Sequence, residues 1–529
     1  MIWDKREKAK KKGRENMAKK ILATVLATAI ACTTLAGCGK KSAKIDGDTT
    51  ELTMHMHFFG YCVYDEDWPI FKKAAELTGV TLKGTASESI SDSDQAWNTM
   101  LASKVLPDII HGTSGKLNDL GGMGGLIPLE DLIDQYAPNV KKFFEDCPEA
   151  KLAATNSDGH IYFIPGSLSG VDKEAVPSKG WYIRTDWLDK LGLKAPTTVD
   201  EMYKVLTAFK TQDPNGNGKA DEIPYFNRQE AIQDLYQLFG AYYNWHVNED
   251  GKVVHGKTEE SYKNAVREIA KWYKEGLIDS EAYTRGQQTR EQLLSQNLGG
   301  MTHDWFSSTG KYYDTYKDTI EGFKWEPIMP PADINGEVKE VRSRSILHGE
   351  GWGISKDNKH IETTMKYFDF WMSEEGRNLN AYGVEGLHYN IVNGEKQLTD
   401  AVLNSPDGAP TYMRNQGQVE IGTVGSIAAE VQAMNEISRN GFNAYDEAGI
   451  CKKEWSLYGQ TEEESDAVSD ISTNVNTYMK EMEQKWILGT SDVDKDWDTY
   501  IKTLNDMGYP KMEKIYNDVY QRQFELLKK

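Results

Sequence analysis

A chain of 529 residues and 59.7 kDa is too long for one compact core, so two or three lobes are expected and a small disulfide-stapled module is excluded. Charged residues at 27%, hydrophobic residues at 39% and a mean hydropathy of -0.61 exclude a polytopic membrane protein and a disordered one. Sixty-one Lys and Arg against 81 Asp and Glu give a net charge of -20, which repels nucleic acid, while 14 Trp and 27 Tyr favour planar ligands or sugars.

In chain order, the basic flank Lys5 to Lys20 precedes an apolar run, Ile21 to Ala31, well under the roughly 20 residues a spanning helix needs. That layout predicts a cleaved signal peptide. Leu35-Ala36-Gly37-Cys38 then resembles a bacterial lipobox, so Cys38 is expected to carry a lipid anchor, and Met17 is an alternative start. Residues 1–37 hold nine basic and three acidic residues, so their removal takes the charge from -20 to -26. Cys62, Cys147 and Cys451 remain, enough for one disulfide but not for a disulfide framework. Residues 39–50 read as a polar tether.

Beyond the tether, Leu52 to Phe58 reads as extended, Trp68 to Leu77 as a helix ending at Gly79, and Val80 to Leu82 as extended again. Gln95 to Lys104 is a second amphipathic helix, and Asp108 to Ile110 opens the next strand. Alternation of this kind predicts an α/β fold with a mainly parallel sheet. Glycines 121, 122, 124 and 125 are expected to form a flexible loop, Pro128 to Tyr136 a helix, and Ile161 to Pro165 a strand leaving the first lobe. Trp181 to Arg184 starts a new strand, helices follow over Asp186 to Leu191, Glu201 to Lys210 and Ser261 to Glu275, and Leu298 to Thr302 is a buried strand. Gly351 to Ser355 is a strand, and the C-terminal third is mostly helical.

The sharpest local signal is the run Asp213 to Glu222, with oxygen side chains at every second position and Gly218 at a sharp turn. Hard oxygen ligands so spaced favour calcium. Pro224 stands where an EF-hand places its closing Glu, so Asp221 and Glu222 must close the site; a metal-free Asn/Gly turn is the competing reading. Nucleotide-binding, serine-hydrolase and zinc-protease motifs are absent. His55 and His57 share one strand face without an evident third ligand. Asp492, Asp494 and Asp496 look cation-like but precede Trp497, Ile501 and Leu504 at helical spacing, which favours capping.

Taken together, Leu101-Ala102-Ser103, Leu106-Pro107-Asp108, Ile127-Pro128-Leu129, Asp158-Gly159, Arg184-Thr185-Asp186-Trp187-Leu188, the Asp213 loop, Gly383 to Tyr389 and Asp496-Trp497 form an ordered series. In that order the chain resembles the family 1 extracellular solute-binding lipoproteins, sugar receptors of ABC importers, particularly the alginate-oligosaccharide-binding branch. The resemblance implies a two-lobe type II binding fold with a hinge, a ligand cleft between the lobes, no enzyme activity and a structural calcium ion on Asp213, Asn215, Asn217, the Lys219 carbonyl, Asp221 and Glu222. Expected boundaries are 51–166 with 299–348 for the N-terminal lobe and 167–298 with 349–529 for the C-terminal lobe, crossing near Gly166, Leu298 and Gly349.

Loops at the carboxyl ends of parallel strands face such a cleft. Phe59, Tyr61 and Thr113, and Asp304, Trp305 and Trp352, are therefore candidate ligand contacts, with Trp245, Glu385 and Tyr389 added; for each aromatic, core packing competes. Arg342 and Arg344 are candidates for an acidic sugar or for a solvated strand face. The implied protein is a monomer anchored at the outer face of the bacterial membrane, binding an oligosaccharide and delivering it to permease subunits. An anchored carbohydrate-active enzyme and a receptor for a peptide or other small solute are the alternatives.

Overall fold

The computed structural model describes residues 49–58, 62–167, 175–228, 231–341, 344, 347–453 and 455–527, all within one unit, Asp46–Lys529. Cys38, Phe59, Tyr61 and Arg342 lie outside the described residues.

Two sheets organise the chain. The first runs in the order Val80–Gly84, Thr50–His55, Ile109–Thr113, Leu347–Ile354, Ile164–Ser167. Its first three strands are parallel, with Leu52 opposite Leu82 and Met54 opposite Ile109. Leu347–Ile354 is antiparallel to both neighbours and sets Trp352 beside His111 and Ile164. Local chemistry fixes the flanking helices. Pro69–Thr78 opens on proline and stops at Gly79, whose φ of 74° suits a residue without a Cβ. The expected glycine loop is instead partly helical: Ser114–Gly122 is a helix, and a Cβ on Gly121 would stand 2.3 Å from Tyr162. Gly121 and Gly125 serve close packing, while Gly124 supplies the positive φ of the turn.

The second sheet runs Trp325–Ile328, Lys179–Arg184, Gly299–Trp305, Ile223–Tyr225. Gly299–Trp305 is buried from Gly299 through Asp304 and needs a partner on each side; it pairs antiparallel with Lys179–Arg184 and parallel with Ile223–Tyr225. This pairing corrects the expected lobe boundaries. Of residues 299–348, the strands Gly299–Trp305 and Trp325–Ile328 build the second sheet, and only the strand beginning at Leu347 joins the first. Residues assigned from sequence to the C-terminal lobe, among them Met365, Phe368, Trp371 and Val419, fill the first core. Leu298 is therefore not a crossing point but the lead-in to the second sheet.

Among the described residues the connections between lobes leave the first sheet at Ser167, pass Arg344 between the lobes and leave again at Val424. Two bridges tie these crossings together, Ser167 to Val424 and Val176 to Arg344. The third continues into helix Ile427–Ala433, where Ala429 belongs to the first core and Val431 packs on the second lobe.

The second lobe is closed by helices Glu260–Lys274, Glu462–Ile487, Val493–Asp506 and Tyr509–Leu527. Thr461 and Glu464 form a capping box at the start of the longest, and Asp492 caps the next by accepting from the Asp494 and Lys495 N–H groups. Inside this lobe the buried Lys257 ammonium meets Glu483 at 2.6 Å, and the Tyr262 hydroxyl donates to the same carboxylate at 2.9 Å. Glu483→Ala strands a buried ammonium, for which a loss of about 3–5 kcal/mol is expected. Urea denaturation at neutral pH measures it, and a loss under about 1 kcal/mol would show that water compensates Lys257.

Candidate ligand groove and metal loop

The crossings leave the first sheet from one edge, where Ser167 lies opposite Leu347 and Glu350 opposite Thr113. They enter the second at the edge where Trp305 lies opposite Lys179. The carboxyl ends of Ile109–Thr113, Ile223–Tyr225 and Gly299–Trp305 are the kind of strand end at which open α/β sheets bind ligands, so they bound the candidate ligand groove.

On the second lobe Trp305 keeps 40% of its surface exposed, at a strand end where most large aromatics are buried. Its ring has the Lys179 ammonium 6.0 Å from its centre. Beside it Arg228 grips Asp304 bidentately, Nε to Oδ2 at 2.8 Å and Nη2 to Oδ1 at 2.7 Å, and Arg290 lies 3.3 Å from the same carboxylate. Burial alone would raise the Asp304 carboxyl, but Arg290 and Arg228 hold it below the ordinary carboxylate range. Asp304 is thus a positioning group for Arg228 rather than a free acceptor. Behind it the buried His303 ring stands 3.0 Å from Asp234 and 2.8 Å from Glu340. Burial opposes its charging, yet Glu340 and Asp234 push it up to about 9.

On the first lobe Thr113 ends its strand and caps the helix that follows, and Ser114 donates to the Gly349 carbonyl at 3.1 Å. Glu350 lies opposite Thr113 in the sheet register with a buried Oε2 that has no hydrogen-bond partner; burial, then the Glu420 charge, pushes its carboxyl up to about 7. Arg344 pairs with Glu430, its Nη2 donating to Oε1 at 2.6 Å, so it joins two crossings to each other.

Several candidates lie elsewhere. Trp352 is fully buried and stacks on Phe368 at 4.6 Å, a core residue rather than a groove contact. Tyr389 opens the hairpin Tyr389–Val392 with Glu395–Leu398 and packs on Tyr382, while Glu385 beside it is exposed. Trp245 lines a separate cavity, walled mainly by the second lobe with Glu149 of the first lobe at its edge. His57 bonds Ser93 and the Ile90 carbonyl, and His55 packs edge-on against Trp97, so neither faces a metal. Cys62, Cys147 and Cys451 are free thiols. Arg228, Lys179 and Glu350 escaped the sequence reading, although Arg228 follows a predictable strand end.

The run Asp213 to Glu222 joins helix Val199–Thr211 to strand Ile223–Tyr225. Asp213, with φ 45°, accepts the Gly216, Asn217 and Gly218 N–H groups; Asn217 Oδ1 accepts the Lys219 N–H at 2.8 Å. The Asn215 and Asn217 amides both donate to Asp221, at 3.3 and 3.0 Å. Glu222 is buried, its Oε2 is without a partner, and burial raises its carboxyl. Among the described residues no three His, Cys, Asp or Glu side chains are grouped to hold a metal as placed; the six expected donors are three carboxylates, two side-chain amides and one backbone carbonyl. An orphaned carboxylate oxygen beside two amides and two further carboxylates nonetheless fits a hard cation.

Residues 66–378 match the family of bacterial extracellular solute-binding proteins, and the chain belongs to that family. It is 30% identical over 497 residues to the fructooligosaccharide ABC transporter substrate-binding protein FusA of Streptococcus pneumoniae serotype 4, covering 85% of this chain and 87% of that one. The crystal structure of the alginate-binding protein AlgQ2 without calcium ion superposes with a TM-score of 0.79 at 36% identity, covering 91% of this chain and all of that one (100%). An EF-hand mutant of FusA in complex with fructo-nystose superposes with a TM-score of 0.72 at 25% identity, covering 90% and 100%. The fold is accordingly the two-lobe type II binding-protein fold.

The His303 pairing has a pH signature. Its folded pKa lies above the ordinary 6.5, so its contribution is complete below pH 6.5 and is lost as pH rises toward about 9. Denaturant unfolding at pH 6.0, 7.5 and 9.0 is expected to show stability falling by up to about 3 kcal/mol, a dependence that His303→Asn flattens. An equal slope in both proteins would contradict the assignment.

Proposed function

We propose that this protein is the substrate-binding lipoprotein of an ABC importer, taking an extracellular oligosaccharide into the groove and passing it unchanged to membrane permease subunits. The observation that carries this reading is the exposed Trp305 face set beside the Arg228–Asp304 pair at the groove edge. A pyranose or furanose stacks its C–H face on such an indole, and the guanidinium donates to ring hydroxyls. Relatives named for fructooligosaccharide and alginate support carbohydrate as the class. Closure follows from a ligand that touches both lobes, since it binds the closed state better than the open one and shifts their balance. The Cys38 lipobox would hold the receptor at the outer membrane face.

Calcium fits the same reading as a structural ion. Asp213, Asn215, Asn217, the Lys219 carbonyl, Asp221 and Glu222 would hold it, fixing the entry to the strand whose far end leads to Arg228. The calcium-free AlgQ2 structure and the EF-hand mutant of FusA among the relatives support this.

Titration calorimetry against fructo-oligosaccharides, alginate oligomers and oligogalacturonides is expected to give heat with at least one of them. Trp305→Ala should weaken that ligand roughly thirtyfold, about 2 kcal/mol. Silence across the panel would exclude a carbohydrate receptor. For the metal, calcium added to chelator-treated protein should raise the melting temperature, and Glu222→Gln with Asp213→Asn should abolish the rise; a wild-type melt indifferent to calcium would leave the loop a metal-free turn.

A further inference from the structure

The cavity that holds Trp245 encloses about 880 Å³, and neither Thr113, Asp304 nor Trp305 lines it. That volume is within the range of small-ligand sites. Its walls are aromatic in an ordered way. Trp245 stacks on Tyr509 at 5.7 Å with an interplanar angle of 10°, and Tyr516 stands edge-on to Trp245 at 4.5 Å. Trp455, which also packs on Tyr516, has a buried indole N–H without a hydrogen-bond partner. At the rim Tyr242 and Phe524 are 37% and 43% exposed, so the cavity opens to water.

Charge separates this cavity from the rest of the molecule. Lys257, Lys452, Lys453 and Lys480 line it against one carboxylate, Glu149, in a chain whose net charge is -20. Lys257 is answered by Glu483, Lys453 meets Glu149 at 2.6 Å and Lys452 meets Glu337 at 2.9 Å, so a ligand carboxylate would share these ammonium groups. Amide side chains, including Gln237 and Asn476, complete a lining in which hydrogen-bond donors outnumber acceptors. Aromatic faces suit the apolar face of a sugar ring, surplus donors suit its oxygens, and lysines suit a carboxylate. A neutral apolar ligand would leave the lysines and the Trp455 N–H without new partners.

We propose that this cavity is a second saccharide site, distinct from the groove, that takes a uronate-bearing sugar with its ring against the aromatic wall and its carboxylate toward the lysines. The site stands whether the groove takes a neutral or an acidic oligosaccharide.

The test uses the mature chain with Cys38→Ser and trigalacturonate as probe, followed by calorimetry and tryptophan fluorescence. With the groove disabled by Trp305→Ala, one trigalacturonate site is expected to remain, weakening severalfold between 20 and roughly 200 mM salt because charge contributes to it. Adding Trp455→Ala or Lys480→Gln should weaken that residual binding at least about tenfold. Should Trp455→Ala lower the melting temperature, Lys480→Gln and Tyr520→Ala, at the cavity lining, carry the comparison. No trigalacturonate binding in Trp305→Ala, or residual binding indifferent to the cavity variants, would overturn the second site. A protein that still binds a neutral oligosaccharide through Trp305 would then keep the receptor reading, whereas silence toward every glycan would remove both.

Discussion

The strand Gly299–Trp305 fixes the geometry of the second lobe, and a row of buried charge fixes the strand. Successive residues His303, Asp304 and Trp305 point to a hinge-side anion pair, an arginine pair and solvent respectively. Burying ions in this density is costly, and apolar replacements would often stabilise a lobe more. What the charges supply is direction. A bidentate guanidinium on Asp304 has one orientation, so Arg228 is held in one arrangement and would lose little freedom if it met a ligand.

The same row reaches the connections between lobes. Glu340, which pairs with His303, bridges Cys451, and its carbonyl accepts the Lys452 N–H at 2.9 Å. Arg344 on the middle crossing pairs with Glu430 on the third. Rigid crossings matter because hinge closure needs the bending confined to few residues; a compliant bundle would spread the motion and blur the two states.

What the sequence disclosed depends on how local each determinant is. The donor loop from Asp213 and the Asp492 cap are legible because every partner lies within nine residues, where Asn and Asp side chains choose their own backbone contacts. The exposed strand-end position of Trp305 is legible from a strand followed by a helix. Trp352 is not, since the face of its strand that turns inward is decided by helix Ile361–Met372 packing on it. The placement of Trp245 away from Trp305 has a longer-range cause: its hairpin is tied to the C-terminal helix by Asn517, which bonds Val253 across 264 residues. The lobe boundaries fail likewise, because nothing within 299–305 reveals that its neighbours are 179–184 and 223–225.

The loop and the groove are linked through one short strand. Ile223–Tyr225 begins directly after Glu222 and is followed within three residues by Arg228, and its Phe226 N–H bonds the Met301 carbonyl at 3.0 Å. A strand this short has few ladder bonds with which to hold its register against the neighbour. At its entrance the Asp213 and Asp221 charges bear on the buried Glu222 carboxyl, and a cation bound there would relieve that repulsion while fixing the residue at which the strand starts. Because a strand transmits displacement along its axis with little loss, a metal at Glu222 would set where the Arg228 guanidinium meets Asp304. The ion then needs no contact with the ligand to matter for its affinity, which is the form of dependence that a structural, non-catalytic calcium should have.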